Sequence, residues 1–146
     1  LMAGGKPVFV DINDGKCPDC NCEVKDNANK GCFNINTSLI KKKINKNTKA
    51  ILVVHLFGKS ADMKTILDLS KTYNLKIIED CAQAPGAKYN GKYVGTMGDI
   101  GIFSFNQSKT ISAGEGGVAI TDNHEFALRM QLIRNHAYRI VPKHLI

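Results

Sequence analysis

The run AILVVHLFG at residues 50–58 is apolar almost without interruption. It has the length and β-branched content of a strand, and a strand without polar alternation is expected to be buried on both faces. Such a strand needs a layer above and a layer below, which means a parallel or mixed sheet flanked by helices. The neighbouring segments supply both. ADMKTILDLSKTYN follows Ser60 and sets Met63, Ile66, Leu67, Leu69 and Tyr73 along one approximate helical stripe. LKIIED at 75–80 predicts the next strand and ends on two carboxylates, while DIGIFSFN (99–106) and GGVAITD (116–122) predict two more. Strands alternating with helices make the chain an α/β domain with a largely parallel or mixed sheet.

The remaining segments fit around that frame. PVFVDI (7–12) reads as a further strand, and Asn36 or Thr37 is placed to cap a helix running to about Ile44. KYNGKYVG (88–95) carries the Asn-Gly hairpin signal between two tyrosine-bearing arms. NHEFALRMQLIRNHAY predicts a helix capped by Asp122 or Asn123, with Phe126, Met130 and Ile133 on one side. Residues 14–32, rich in Asn, Asp, Gly and Cys, have no usable period and read as a long loop or insertion.

With 146 residues, 43% of them hydrophobic, the chain has material for one domain with a core. No apolar run approaches transmembrane length and no secretory pattern opens it, so no membrane role is expected. The opening LMAGGKPVFV lacks an initiating Met and reads as the interior of something longer. The net charge of +7 raises the question of nucleic acid. Much of the excess, however, sits in IKKKINKNTK (40–49), where Lys41, Lys42 and Lys43 fall in the last turn of a helix and complement its dipole. Aromatic residues are not interleaved for base stacking, so a solvated basic surface is expected and no nucleic-acid partner. Five cysteines cannot all pair, and without a targeting signal a reducing cytoplasm is the expected compartment.

Two segments look chemical. In IIEDCAQAPGA (77–87), Asp80 stands at the carboxyl end of an apolar strand, where doubly wound sheets bind ligands. A half-buried carboxylate there wants a cationic partner, although it also reads as the cap of the following turn. Gln83 offers an amide to the same space. In FSFNQSKTISAGEGG (103–117), Lys109 lies between an apolar strand and a cluster of glycines, with Ser104 and Ser108 as hydroxyl donors nearby. A buried lysine loses its charge readily, and the neutral amine is the form that makes Schiff bases. Amine, carboxylate, amide and hydroxyls together suit pyridoxal phosphate, with a carboxylate at the pyridine nitrogen and a lysine at the aldehyde.

The pairing of EDCAQAPGA with SFNQSKTISAGEGG closely resembles the core of the DegT/DnrJ/EryC1/StrS family of sugar aminotransferases, and PVFVDI, TKAILVVHLFGKSADM and LIRNHA resemble its flanking segments. The resemblance implies the large domain of a fold-type-I pyridoxal phosphate enzyme, built on a seven-stranded type of sheet. Residues 1–146 would be part of that domain, with a Cys-rich insertion at about 14–32. The N-terminal segment and the small C-terminal domain would lie outside them. Carried over by position, Lys109 would be the Schiff-base lysine and Asp80 the partner of the pyridine nitrogen. Gln83 would contact the phenolic oxygen and Ser104 the phosphate. Glutamate would give its amino group to a nucleotide-linked keto-sugar, in a homodimer when the protein is full length. The family's deoxygenating members, which dehydrate the sugar, carry histidine where this chain has Lys109, so transamination is favoured over a sugar dehydratase. A non-catalytic module of the same fold, binding cofactor or a partner, is the rival of another class.

Other candidates have plainer readings. Cys17, Cys20, Cys22 and Cys32 offer thiolates for a structural zinc clip, but their arrangement lacks two separated CxxC pairs, so a plain loop with no metal is the favoured expectation. Cys81 reads as a small core or near-site residue rather than a nucleophile, because no base stands beside it. His55 reads as a hydrogen-bonded structural histidine at a strand end, and His136 is ambiguous in the same way.

Overall fold

The structure, a computed structural model, describes residues 4–13 and 33–134. Helix α1 (Thr37–Lys43) begins where the Asn36 side chain accepts the Ser38 N–H at 3.1 Å and ends on the three lysines. Strand β1 (Ala50–Val54) leads through a single 3₁₀ turn at Leu56–Gly58 to helix α2 (Met63–Tyr73). Asp62 caps α2 by accepting the Thr65 N–H at 3.3 Å, and Asn74 ends it in the left-handed conformation. Strand β2 (Lys76–Asp80) follows. Next come a small hairpin of β3 (Lys88–Tyr89) and β4 (Lys92–Tyr93), β5 (Ile100–Ser104), β6 (Gly117–Ile120) and helix α3 (His124–Arg134). Asn90 and Gly91 turn the hairpin with positive φ at both positions, as its Asn-Gly pair predicts.

Among the described residues the main sheet has four strands in the order β1-β2-β5-β6. β1, β2 and β5 run parallel, and β6 returns antiparallel to β5. The architecture is therefore the α/β, mixed-sheet one expected. Ile51, Val53 and Ile77 on one sheet face pack with Ile40 of α1 and Met63 and Ile66 of α2. Truncating a core residue such as Ile66, which is fully buried, would cost about 2–5 kcal/mol. A smaller cluster of Cys81, Ala84 and Val94 forms beside Phe103 at the carboxyl end of the sheet.

Three expectations need correction. The 50–58 run is not buried on both faces: β1 alternates, with Ile51 and Val53 inside while Leu52 is 55% exposed. β1 is an edge strand of the described sheet, and no described element covers its second face. The run also stops being a strand at Val54, because His55 turns the chain and Leu56–Gly58 coil into the 3₁₀ turn. Among the described residues, PVFVDI joins no sheet. It makes one antiparallel bridge, Ile12 to Ile35, and leaves Phe9 86% exposed, because no described strand lies alongside to extend the pairing. In α3, capped by Asn123 accepting from Phe126 N–H at 3.0 Å, Ile133 is 79% exposed rather than packed with Phe126 and Met130.

Candidate active site

The residues carried over from the family resemblance fall at one edge of the sheet. Asp80 ends β2 and Ser104 ends β5, and the two strands are parallel, so both lie at carboxyl ends. Asp80 pairs with Ile102, and Ser104 is two residues further along β5, so the two side chains share a face. It is the open face, shared with Leu52 and Val54, and opposite the one that holds the core. Gln83 lies in the turn that leaves β2, and Lys109 in the connection that leaves β5.

The carboxylate of Asp80 is half-buried. Its Oδ1 accepts the Ala82 N–H at 3.0 Å, so it does cap the following turn, while its Oδ2 has no hydrogen bond among the described residues. Gln83 is exposed and braces the neighbouring turn: its Oε1 accepts the Phe57 N–H at 3.3 Å and its backbone carbonyl accepts Gly58 N–H at 3.0 Å. That turn puts Phe57 at φ 51°, a left-handed conformation a bulky residue rarely adopts, and Gln83 is one of the groups holding it there. Buried Asn34 holds the same turn from the other side. It accepts from Leu56 N–H at 2.9 Å and donates to the carbonyls of Lys59 and Ser60. Gln83 keeps its amide nitrogen, a donor, without a partner among the described residues.

The two serines differ. Ser108 spends its hydroxyl hydrogen on Asn106 Oδ1 at 3.0 Å. Ser104 only accepts, from Asn106 N–H at 3.4 Å, so its hydrogen stays available to a ligand. Lys109 is half-buried, and its Nζ has no hydrogen bond or ion pair among the described residues. An amine, a carboxylate oxygen, an amide donor and a hydroxyl donor, each unspent among the described residues, are groups of the kind that hold pyridoxal phosphate. The residues present fit the cofactor.

Glu79 is the residue that sequence reasoning missed. It faces the core, completely buried. Its Oε2 accepts from His55 Nε2–H at 2.9 Å and Gly95 N–H at 2.8 Å, and its Oε1 from Met97 N–H at 2.8 Å and Gly98 N–H at 2.6 Å. The other imidazole nitrogen, Nδ1 of His55, accepts the Ala61 N–H at 3.1 Å, which fixes the neutral tautomer with its hydrogen on Nε2. Burial by itself would raise the Glu79 pKa, but the His55 hydrogen bond and three backbone N–H groups outweigh it and hold the carboxyl below its ordinary value. His55 is thus the hydrogen-bonded structural histidine expected from sequence. The signal for Glu79 was available: counted by twos from Ile77, it falls on the inward face, where a carboxylate must find partners.

Cys81 lies close enough to His55 and Glu79 for the three to be compared with a metal site. Their donors are already committed. Glu79 has accepted four hydrogen bonds and both His55 nitrogens are in use. Burial, with the Glu79 and Asp80 charges, pushes the Cys81 thiol up to about 12, so it stays protonated at neutral pH and is a poor ligand or nucleophile. Cys81 is a core residue, as expected. Cys17, Cys20, Cys22, Cys32 and His136 lie outside the described residues. Among those residues no helix is long and apolar enough to cross a membrane.

A model of the DegT/DnrJ/EryC1/StrS aminotransferase family matches residues 1–144. GDP-perosamine synthase of Escherichia coli O157:H7 is 46% identical over 120 residues, which are 82% of this chain and 29% of that enzyme. The Helicobacter pylori aminotransferase involved in the biosynthesis of pseudoaminic acid has a similar structure, with a TM-score of 0.80 and 30% identity over 97% of this chain and 34% of its own. A mutant GDP-4-keto-6-deoxymannose-3-dehydratase with bound GDP-perosamine is also similar, with a TM-score of 0.70 and 34% identity over 76% of this chain and 29% of its own. The chain spans about a third or less of the length of these relatives.

Proposed function

The chain belongs to the DegT/DnrJ/EryC1/StrS aminotransferase family, and from that premise we propose that it forms the lysine-bearing part of a pyridoxal phosphate-dependent aminotransferase acting on a nucleotide-linked keto-sugar, with glutamate as amino donor. The observation that carries the reading is the Lys109 amine, without a partner among the described residues, in a loop leaving the strand edge at which Asp80 and Ser104 share a face.

Bound at this edge, the cofactor supplies an aldehyde to carry the amino group and a pyridine ring able to take up electrons from the substrate carbon. The chain's own residues do the rest. The Asp80 oxygen left without a hydrogen bond among the described residues would hold the proton on the pyridine nitrogen, and the half-buried setting would strengthen that ion pair. Ser104 would donate its hydroxyl hydrogen to the phosphate, and the Gln83 amide nitrogen would donate to the phenolic oxygen. Lys109 Nζ would hold the cofactor through its aldehyde, with water leaving as the bond to nitrogen forms. Once released, the same amine would act as base and then as acid, holding and returning the proton of the substrate carbon. The family reading extends to a homodimer working in the cytoplasm, which gel filtration and fractionation would check.

The dehydratase among the similar structures keeps a second reading in view, in which the sugar loses water. The family resemblance of Lys109 favours amination. Borohydride reduction in the presence of pyridoxal phosphate, followed by peptide mass mapping of the protein that carries this chain, tests the site. An adduct on Lys109 that disappears in Lys109→Ala is expected. Its absence from the unaltered protein would overturn the reading. Incubation with glutamate and a nucleotide-linked keto-sugar then separates the chemistries by product: an amino-sugar is expected, and a deoxy-sugar would favour the dehydratase.

A further inference from the structure

The turn that carries Lys109 takes its shape from Asn106. The Asn106 carbonyl accepts the Lys109 N–H at 2.9 Å, and its Oδ1 accepts both the N–H and the hydroxyl of Ser108, each at 3.0 Å. Its Nδ2 reaches across the loop and donates to Glu115 Oε1 at 2.9 Å. The carboxamide therefore commits its oxygen to the lysine arm and its nitrogen to the glycine-rich arm. Just beneath, Phe105 N–H to the Gly116 carbonyl and Ala113 N–H to the Phe105 carbonyl, both 2.9 Å, close the neck of the loop.

We propose that Asn106 and Glu115 form a clamp that positions Lys109, presenting its amine to the ligand with the turn already formed. The clamp rests on the reading of Lys109 as the amine that binds the cofactor aldehyde. A lone hydrogen bond between half-buried Asn106 and exposed Glu115 would be weak, since water competes for both groups. Here the closed neck brings the two side chains together beforehand, so little further entropy is lost in pairing them. The preformed turn in turn lowers the ordering cost of bringing the amine to an aldehyde, which is how a positioning residue acts on a reaction it does not touch. Asparagine suits the task because it has a donor for Glu115 and an acceptor for Ser108. Aspartate would set a second carboxylate against Glu115.

The test uses the protein that carries this chain, with two readouts. One is the rate at which the Lys109 adduct is trapped by borohydride at saturating pyridoxal phosphate. The other is amide hydrogen exchange over residues 105–117 without cofactor. Asn106→Asp should slow trapping about tenfold, the factor one net hydrogen bond is worth, and speed exchange. Glu115→Gln keeps an acceptor for Asn106 and should change either readout less than about twofold. Combining the two substitutions restores the bond with its polarity reversed, since the new glutamine amide donates to the new aspartate carboxylate. This double variant should recover both readouts to within about threefold. A merely structural defect would not be rescued in this way. Glu115→Ala, on an exposed position away from the core, should slow trapping in the same direction if Asn106→Asp does not fold. Normal trapping in Asn106→Asp, or a double variant no better than the single one, would overturn the clamp while leaving Lys109 as the cofactor lysine. No adduct in the unaltered protein would overturn both.

Discussion

The two faces of the sheet set consecutive carboxylates in opposite surroundings. On the packed face Glu79 is completely buried and accepts four hydrogen bonds, which tie the end of β1, through His55, to the turn that enters β5. On the open face Asp80 is half-buried, and one oxygen meets only the Ala82 N–H two residues on. The residues are of one chemical type and one position apart, so neither composition nor charge separates their roles. What separates them is acceptor capacity. Glu79 has none left and serves the fold, whereas Asp80 has an oxygen to offer a ligand. The same distinction holds for Ser108 and Ser104, whose hydroxyl hydrogens are committed and free respectively.

The contrast can be broken most directly at Glu79. Glu79→Gln places a donor among four N–H donors and should destabilise the protein by about 3–5 kcal/mol in urea unfolding, as when one partner of a buried charged network is lost. Stability like that of the unaltered protein would remove the reason for setting the two carboxylates apart. Asp80→Asn should do the converse. The amide oxygen still accepts from Ala82, so the unfolding midpoint should barely move while amination falls at least about 100-fold, or ~2.7 kcal/mol. A Gly95→Ala change sharpens the picture of the packed face. Gly95 has φ +87° and an added Cβ would lie 2.6 Å from Phe103 Cζ, so a loss of roughly 2 kcal/mol is expected from backbone strain and crowding. Its Asp80-dependent chemistry, measured at a temperature where the variant is folded, should persist.

The smallest effect concerns pH. The Glu79 carboxyl is held below its ordinary value of 4.5, so the folded state binds its proton less readily than the unfolded chain. Its contribution to stability is complete above pH 4.5 and is lost as pH falls from there through the lower folded value. The stability gap between the unaltered protein and Glu79→Gln should therefore narrow in acid. A gap that stays constant from about pH 6 down to acid unfolding would show that the carboxylate charge is not what the turn at 95–98 recognises.

Much of the frame was legible because it rests on local chemistry. Asn36 caps its helix through a bond two residues long, and Asn90-Gly91 sets its own turn, whereas the equally local cap of α2 at Asp62 was not read from the sequence. The edge of the sheet that gathers Asp80, Gln83, Ser104 and Lys109 followed from strands read one at a time, because parallel strands place their carboxyl ends together. The covering of β1 was not legible. An apolar run reports that burial would be favourable, not which element supplies it, and among the described residues Leu52 faces none. Ile133 and the PVFVDI segment miscarried for the same reason.

By itself the sequence determined where the reactive groups fall along the chain. It placed a lysine in a glycine-framed loop after one strand and a carboxylate at the end of another, because strand alternation and turn chemistry act over a few residues. Only the tertiary structure decided which groups are spent and which are free. Glu79 is satisfied by His55, 24 positions away, and by Gly95, 16 positions away, and such pairings exist only once the strands have assembled. Among the described residues, the same assembly leaves Asp80 and Lys109 with unspent capacity, together with the Ser104 hydroxyl hydrogen and the Gln83 amide nitrogen.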